Sequence, residues 1–290
     1  MSAAPDRRLN AYRADLADSR LRGVVDAAAY VTSRPAAIVA PVSNVHARPD
    51  RASECASQAL YGETVSVFEE KDGWLWVQCD ADDYVGYVAA EDVAERQAEP
   101  THIVTVPRTF LYDGADLRHR VEATLSMGSR LKMTGTTETR GTQYAMTQDG
   151  FALIANHVAP LDYRADDYVD VAGRFLETPY LWGGRSGFGL DCSGLVQLAV
   201  MMAGAKAPRD TDMQAAGVGD AVDPGPDYGE LRRGDLVFWK GHVAIMSDRE
   251  TILHASGHTM MVTEEPLADA VSRIAHLYGS PTGFRRPKFQ

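Results

Sequence analysis

From residue 31 the chain alternates short β-prone apolar runs with turn residues, at 37–40, 63–68, 74–79 and 84–88. Several short strands at this spacing predict a small barrel. A second copy is expected to follow, because residues 59–65 can be laid on 124–131. From each glycine, Gly62 and Gly128, about thirty residues lead to a matching close, Glu91-Asp92-Val93 in one copy and Asn156-His157-Val158 in the other. Before these runs, residues 1–30 alternate Arg and Asp with Ala and Leu and read as a solvated arm or short helix without chemistry. After Pro160 the period changes. Residues 166–176 place Val169, Ala172 and Leu176 on one helical face, and an apolar helical pattern runs from Leu195 to Met202. A turn-rich stretch through Asp223-Pro224-Gly225-Pro226 leads to two apolar runs around Lys240-Gly241 and a further one at 251–256, which read as strands. Helices followed by an antiparallel sheet make an α+β domain. The expected organisation is an arm at 1–30, barrels at 31–97 and 98–160, and an α+β domain at 161–290.

Charge and composition narrow the partners. The chain of 290 residues carries a formal charge of −11 without a basic run, which argues against nucleic acid or an anionic membrane surface. The N-terminal stretch lacks the apolar core of a secretory signal, and the longest mostly apolar run is too short to span a bilayer. Three cysteines, Cys55, Cys79 and Cys192, cannot all be paired and suit a reducing compartment. The expectation is a soluble cytoplasmic protein.

Candidate chemistry centres on PYLWGGRSGFGLDCSG at 179–194, which runs straight into the apolar helical pattern. Cys192 falls at a helix start, where free N–H groups and the positive dipole end favour a thiolate, and Asp191 falls at the capping position. A lone cysteine is also commonly a small buried hydrophobe. His242 opens the second strand of the 236–246 pair and His254 lies on the next, so a thiol, a base and an orienting group can converge. A phosphate loop at 183–189 is rejected because the Lys-Ser/Thr ending is missing. A zinc set of His254, His258, Cys192 and His242 is the weaker reading, since a helix start serves a nucleophile. His46, His102, His119, His157 and His276 read as ordinary histidines.

The segments DCSG, PYLWGG, GDLVFW and GHVAI, with a second histidine twelve residues after the first, resemble the NlpC/p60 cysteine peptidases from about Asp162 onward. LYGE, DGWLWV and VGYV in the first barrel resemble bacterial SH3-type domains, the second barrel more loosely. The resemblance implies two SH3-like barrels before a papain-like α+β domain that cuts wall peptides. It implies Cys192 as nucleophile, His242 as base within a thiolate–imidazolium pair, and His254 as orienter. Tyr180 would help bind the oxyanion, and Trp182, Asp191, Ser193 and Thr211 would line the pocket. Arg209 and Asp210 read as a capping and salt-bridge pair. Glu54 and Tyr87 would read the substrate's amino end, against their plainer readings as a loop carboxylate and a core aromatic. The implied substrate is a murein tripeptide or tetrapeptide with a free L-Ala end, cut at the γ-D-glutamyl–diamino acid bond during recycling, without metal or cofactor. Competing classes are an acyltransferase or amidase on lipid or other amides, and a wall-binding adaptor.

Overall fold

The computed structural model describes residues 4–95 and 98–289. The expected barrel boundary at 97 falls on residues outside the described ones. The chain divides into two compact units, Met1–Leu161 and Asp162–Gln290.

In the first unit, β1 (Leu16–Asp18) and β2 (Ala29–Val31) pair in parallel. Then β3 (Arg34–Ile38), β4 (Val42–His46), β5 (Cys55–Leu60), β6 (Thr64–Lys71), β7 (Trp74–Cys79), β8 (Val85–Ala89) and β9 (Val93–Ala94) form one sheet in the order β5-β4-β8-β7-β6-β3-β9. It wraps around Ile38, Val45, Val65, Val77 and Val88. Next come β10 (His102–Val104), β11 (Arg108–Tyr112), β12 (Val121–Ser126), β13 (Arg130–Leu131), β14 (Met133–Thr139), β15 (Thr142–Thr147), β16 (Ala152–Ile154) and β17 (Val158–Pro160). They form sheets ordered β12-β11-β16-β15-β14 and β13-β10-β17 around Val104, Leu111, Leu125 and Leu153. Strand for strand this is the first order again, with β6 replaced by the pair β14 and β13. The turns repeat as well. Gly62 and Gly128 both take positive φ, +74° and +90°, a conformation that favours glycine. Their N–H groups donate to the carbonyls of Ile38 and Val104, at 2.8 and 2.9 Å.

The N-terminal segment is not the solvated arm or helix expected. Ala11 is buried against Phe68 and Trp76, with Leu16, Val31 and Tyr87 packed around them. The Arg13 guanidinium lies 4.3 Å from the Trp76 ring centroid and donates to Glu69 at 2.8 Å. The alternating charges that suggested a solvated face thus include one that is stacked and paired, while Ala11 packs on the barrel and Ala17 packs with Tyr12 and Val25.

The second unit comprises α1 (Tyr168–Gly173), β18 (Arg185–Ser186), β19 (Gly189–Leu190), α2 (Cys192–Met202), α3 (Thr211–Gly217), β20 (Asp220–Ala221), β21 (Leu236–Trp239), β22 (His242–Met246), β23 (Thr251–Ser256), β24 (Met261–Pro266), α4 (Leu267–Tyr278) and β25 (Gly283–Arg286). Its main sheet runs β20-β25-β21-β22-β23-β24, antiparallel at each recorded pairing. Helix α2 is buried at every residue from Cys192 to Val200, as its nearly unbroken apolar sequence requires, and it packs on β22 and β23. Helix α1 is shorter than its pattern. Val169 and Ala172 are buried, but Leu176 lies beyond the helix end and is exposed. Among the described residues, no helix is long and apolar enough to cross a membrane.

Replacing Ala11 by Asp sets a charge into the Phe68–Trp76 cluster. Urea denaturation of the full chain is expected to show a loss of at least about 2 kcal/mol; a change within about 0.5 kcal/mol would mean that the segment behaves as a surface site.

Candidate active site

The start of α2 is fixed by one carboxylate. Asp191, 8% exposed, takes extended backbone angles and caps the helix by accepting the Gly194 N–H at 2.7 Å. Its other oxygen accepts the Gly183 N–H at 2.9 Å, which ties the incoming glycine loop to the helix. Arg209, 1% exposed, donates to both oxygens at 3.0 and 2.6 Å and to the Ser193 hydroxyl at 2.9 Å. A bidentate fork of this kind sets the carboxylate's plane as well as its charge. Gly194 is required by contact: a Cβ there would lie 2.1 Å from the Gly184 carbonyl oxygen.

Cys192 is consequently held with its sulfur against the sheet. The Val243 N–H favours the ionised sulfur, and the Thr211 hydroxyl stands 3.8 Å away. Burial, reinforced by the Asp191 charge, pushes the thiol up to about 11, although Val243, Thr211 and Arg209 pull the other way. His242, whose ring lies 5.7 Å from that of buried Trp239, is lowered to about 3, first by burial and then by His254 and Arg273. Both shifts favour the neutral forms of sulfur and imidazole, against the thiolate–imidazolium pair that the resemblance implies.

His242 Nε2 lies 2.8 Å from His254 Nδ1, which leaves His242 Nδ1 as the ring nitrogen outside that contact. His254 is itself buried, and Glu265 Oε1 lies 2.8 Å from its Nε2. The oxygen lies off the direction of that nitrogen, which meets no well-directed acceptor, and at this distance its negative charge favours a proton there. Arg273 pairs with the same carboxylate oxygen. Burial pushes Glu265 up, but His254 and Arg273 outweigh it and hold the carboxyl below its ordinary range.

The remaining expected residues separate into groups. Tyr180 is half-buried, and burial with the nearby Cys192 and Asp191 raises its ionisation, so it keeps its proton and can donate. Thr211 is the first residue of α3, and the Trp182 side chain is largely exposed. Asp191 and Ser193 do not line an open pocket. Both are buried, and their side chains are bonded to the helix start and to Arg209. Arg209 is in an ion pair as expected, but its partner here is Asp191, and Asp210 makes no side-chain capping bond. In the first unit, Glu54 is exposed in the β4–β5 loop. Tyr87 does not suit an ammonium, because its hydroxyl already accepts from the Arg13 guanidinium at 2.9 Å. Among the described residues, no group of three or more His, Cys, Asp or Glu side chains is arranged to hold a metal, and His258 is exposed. Glu265 and Arg273 were missed by sequence reasoning. Their signal was an acidic residue in a strand-length run after HASGH, with a lone arginine one helical stretch later.

Arg209→Ala leaves Asp191 buried without its counter-charge. Chemical denaturation is expected to show a loss of about 3–5 kcal/mol, and a variant as stable as the parent would remove the ion pair from its place as the clamp.

Comparison with known proteins agrees with this architecture. Residues 45–93 match the bacterial dipeptidyl-peptidase Sh3 domain, and residues 177–275 match the NlpC/P60 family. The protein named dipeptidyl-peptidase 6 from Lysinibacillus sphaericus is 28% identical over 245 residues, covering 76% of this chain and 87% of its own. Gamma-D-glutamyl-L-lysine dipeptidyl-peptidase of Bacillus cereus is 28% identical over 233 residues, covering 70% of this chain and 68% of its own. The crystal structure of an NlpC/P60 family protein from Bacillus cereus shares the fold, with a TM-score of 0.72 at 24% identity over 88% of this chain and 99% of that one. Beside a cysteine at a helix start and paired histidines on the adjoining strands, these matches give the chain an NlpC/P60 peptidase domain at 177–275 after a bacterial SH3 domain at 45–93.

Proposed function

We propose that the protein is a cysteine endopeptidase that hydrolyses the amide between the γ-carboxyl of D-glutamate and the next diamino acid, in wall-derived peptides with a free N-terminal L-alanine. The observation that carries this is the relay at the sulfur: Cys192 against β22, with His242 and His254 in contact at 2.8 Å. The names of the relatives, dipeptidyl-peptidase 6 and gamma-D-glutamyl-L-lysine dipeptidyl-peptidase, support the bond and the dipeptide product.

In this reading the Cys192 proton passes to His242 Nδ1 as the sulfur attacks the γ-carbonyl carbon. The C–N bond breaks when the imidazolium returns that proton to the departing amine, leaving a thioester. Water then attacks the thioester, giving its proton to His242, and the dipeptide acid leaves as the thiol is restored. The Cys192 backbone N–H, one of the free donors of a helix start, and the protonated Tyr180 hydroxyl stabilise the oxyanion. Thr211 and Trp182 contact substrate.

The resemblance assigns the amino-end preference to Glu54, an exposed carboxylate able to pair with an ammonium. Residues 98–160 are a second, diverged SH3-like barrel, supported by the repeated strand order. Action on recycled peptides in the cytoplasm is supported by an odd number of cysteines, Cys55, Cys79 and Cys192, which cannot all pair within the chain; recovery of the protein mainly outside the cell would sink that part.

Mass spectrometry of products from L-Ala-γ-D-Glu-diaminopimelate, with its N-acetylated form alongside, tests the whole. The expected result is L-Ala-D-Glu from the free peptide only, and none with Cys192→Ala. Equal cutting of both peptides would discard the amino-end preference, and turnover by Cys192→Ala would discard the mechanism. Glu54→Ala is expected to raise KM for the free peptide about ten-fold or more at unchanged kcat; unaltered kinetics would remove Glu54.

A further inference from the structure

The contacts behind His254 continue the relay beyond the two histidines. Register pairs Ile252 on β23 with Glu265 on β24, so Glu265 shares a sheet face with Ile252 and, by the two-residue strand period, with His254. Ile252 packs with Ala270 and Ile274 of α4, and the same helix brings Arg273 to the Glu265 carboxylate. A buried imidazole, a carboxylate and a guanidinium thus meet where an apolar face would otherwise close.

We propose that Glu265 is a positioning residue for His242, acting through His254: its carboxylate keeps a proton on His254 Nε2, and so decides which nitrogen of His242 is free to act as base. This rests on the roles given above to Cys192 and His242.

The steps follow from the count of protons. A neutral imidazole carries one N–H, and its other nitrogen can only accept. An ionised carboxylate is an acceptor alone, so with Glu265 Oε1 2.8 Å from His254 Nε2 the favoured tautomer has its proton on that nitrogen. His254 Nδ1 is then an acceptor, and the 2.8 Å contact with His242 Nε2 requires that His242 carry its proton there. The lone pair of His242 remains on Nδ1, where the thiol proton must go. Without the carboxylate, His254 can place its proton on Nδ1, which turns His242 over to the inactive tautomer. Arg273 keeps the carboxylate ionised and so keeps the chain of donors pointing one way. The charged and titratable groups acting on His242 are His254 from β23, Glu265 from β24 and Arg273 from α4, and Glu265 alone among them favours the protonated ring.

Two readings on the full-length protein test this. In the wild-type enzyme, nitrogen-15 shifts of the imidazoles are expected to show His242 and His254 each protonated on Nε2. Glu265→Ala is expected to lower kcat about a hundred-fold, with KM within about three-fold, and to give a mixed tautomer at His254. Glu265→Gln, whose amide oxygen can accept the same proton, is expected to recover at least about ten-fold of that loss. A wild-type His254 protonated on Nδ1 overturns the proposal, whether or not the alanine variant folds. So does a folded Glu265→Ala enzyme within about three-fold of wild-type kcat, or a Gln variant that folds yet is no better than Ala. Turnover by Cys192→Ala would instead overturn the underlying mechanism, whereas an inactive Cys192→Ala beside unimpaired Glu265 variants would remove this inference alone.

Discussion

The buried ion pair between Asp191 and Arg209 is the constraint on which the site depends. Asp191 must cap α2 and hold the Gly183 N–H in a place where it is 8% exposed. A carboxylate buried there needs a counter-charge, and Arg209 supplies it by a two-point contact. Everything nearer the chemistry inherits this geometry. The helix start sets the Cys192 backbone N–H and the sulfur, the tethered loop brings Tyr180 and Trp182 toward the same region, and Gly194 allows the loop carbonyl to approach within a distance no side chain would permit.

The electrostatic result differs from what a helix start alone suggests. A helix N-terminus favours an anion by about 1 kcal/mol, and by up to ~2 kcal/mol in partly buried settings. Taking a thiolate out of water costs several kcal/mol, and the adjacent Asp191 charge opposes ionisation further, while Arg209 favours it more weakly. Desolvation wins at Cys192, and it wins again at His242 with the opposite sign. In the proposed mechanism the sulfur therefore becomes nucleophilic by proton transfer in the presence of substrate. That places the burden on the tautomer of His242, which the line His254, Glu265 and Arg273 supplies.

The sequence made the local elements around the site readable. The two strands around Lys240-Gly241 fall at Leu236–Trp239 and His242–Met246, and β23 at Thr251–Ser256, because their apolar runs are short and sharply bounded by turn residues. The repeat pairing of Gly62 with Gly128 was legible because a turn with positive φ leaves glycine as its mark. Less legible were relations across the fold. Arg209 looks like half of a local pair with Asp210, yet it reaches a carboxylate 18 residues upstream. Glu265 and Arg273 sit in a polar strand and an amphipathic helix whose patterns predict exposure; only strand register brings the first behind His254. The N-terminal segment misled for the same reason, since Arg13 is polar in sequence but stacked and paired in space.

The central claim is that the resting site holds a neutral thiol and a neutral imidazole, to be activated through the histidine relay. It is tested most directly by the rate at which iodoacetamide alkylates Cys192 in the substrate-free enzyme between pH 4 and pH 10. With the thiol pushed up to about 11 and His242 down to about 3, the account predicts a rate that is slow at neutral pH and still climbing at pH 10. A fast, pH-independent rate from about pH 5 to 8 would reveal a preformed thiolate–imidazolium pair and contradict the account.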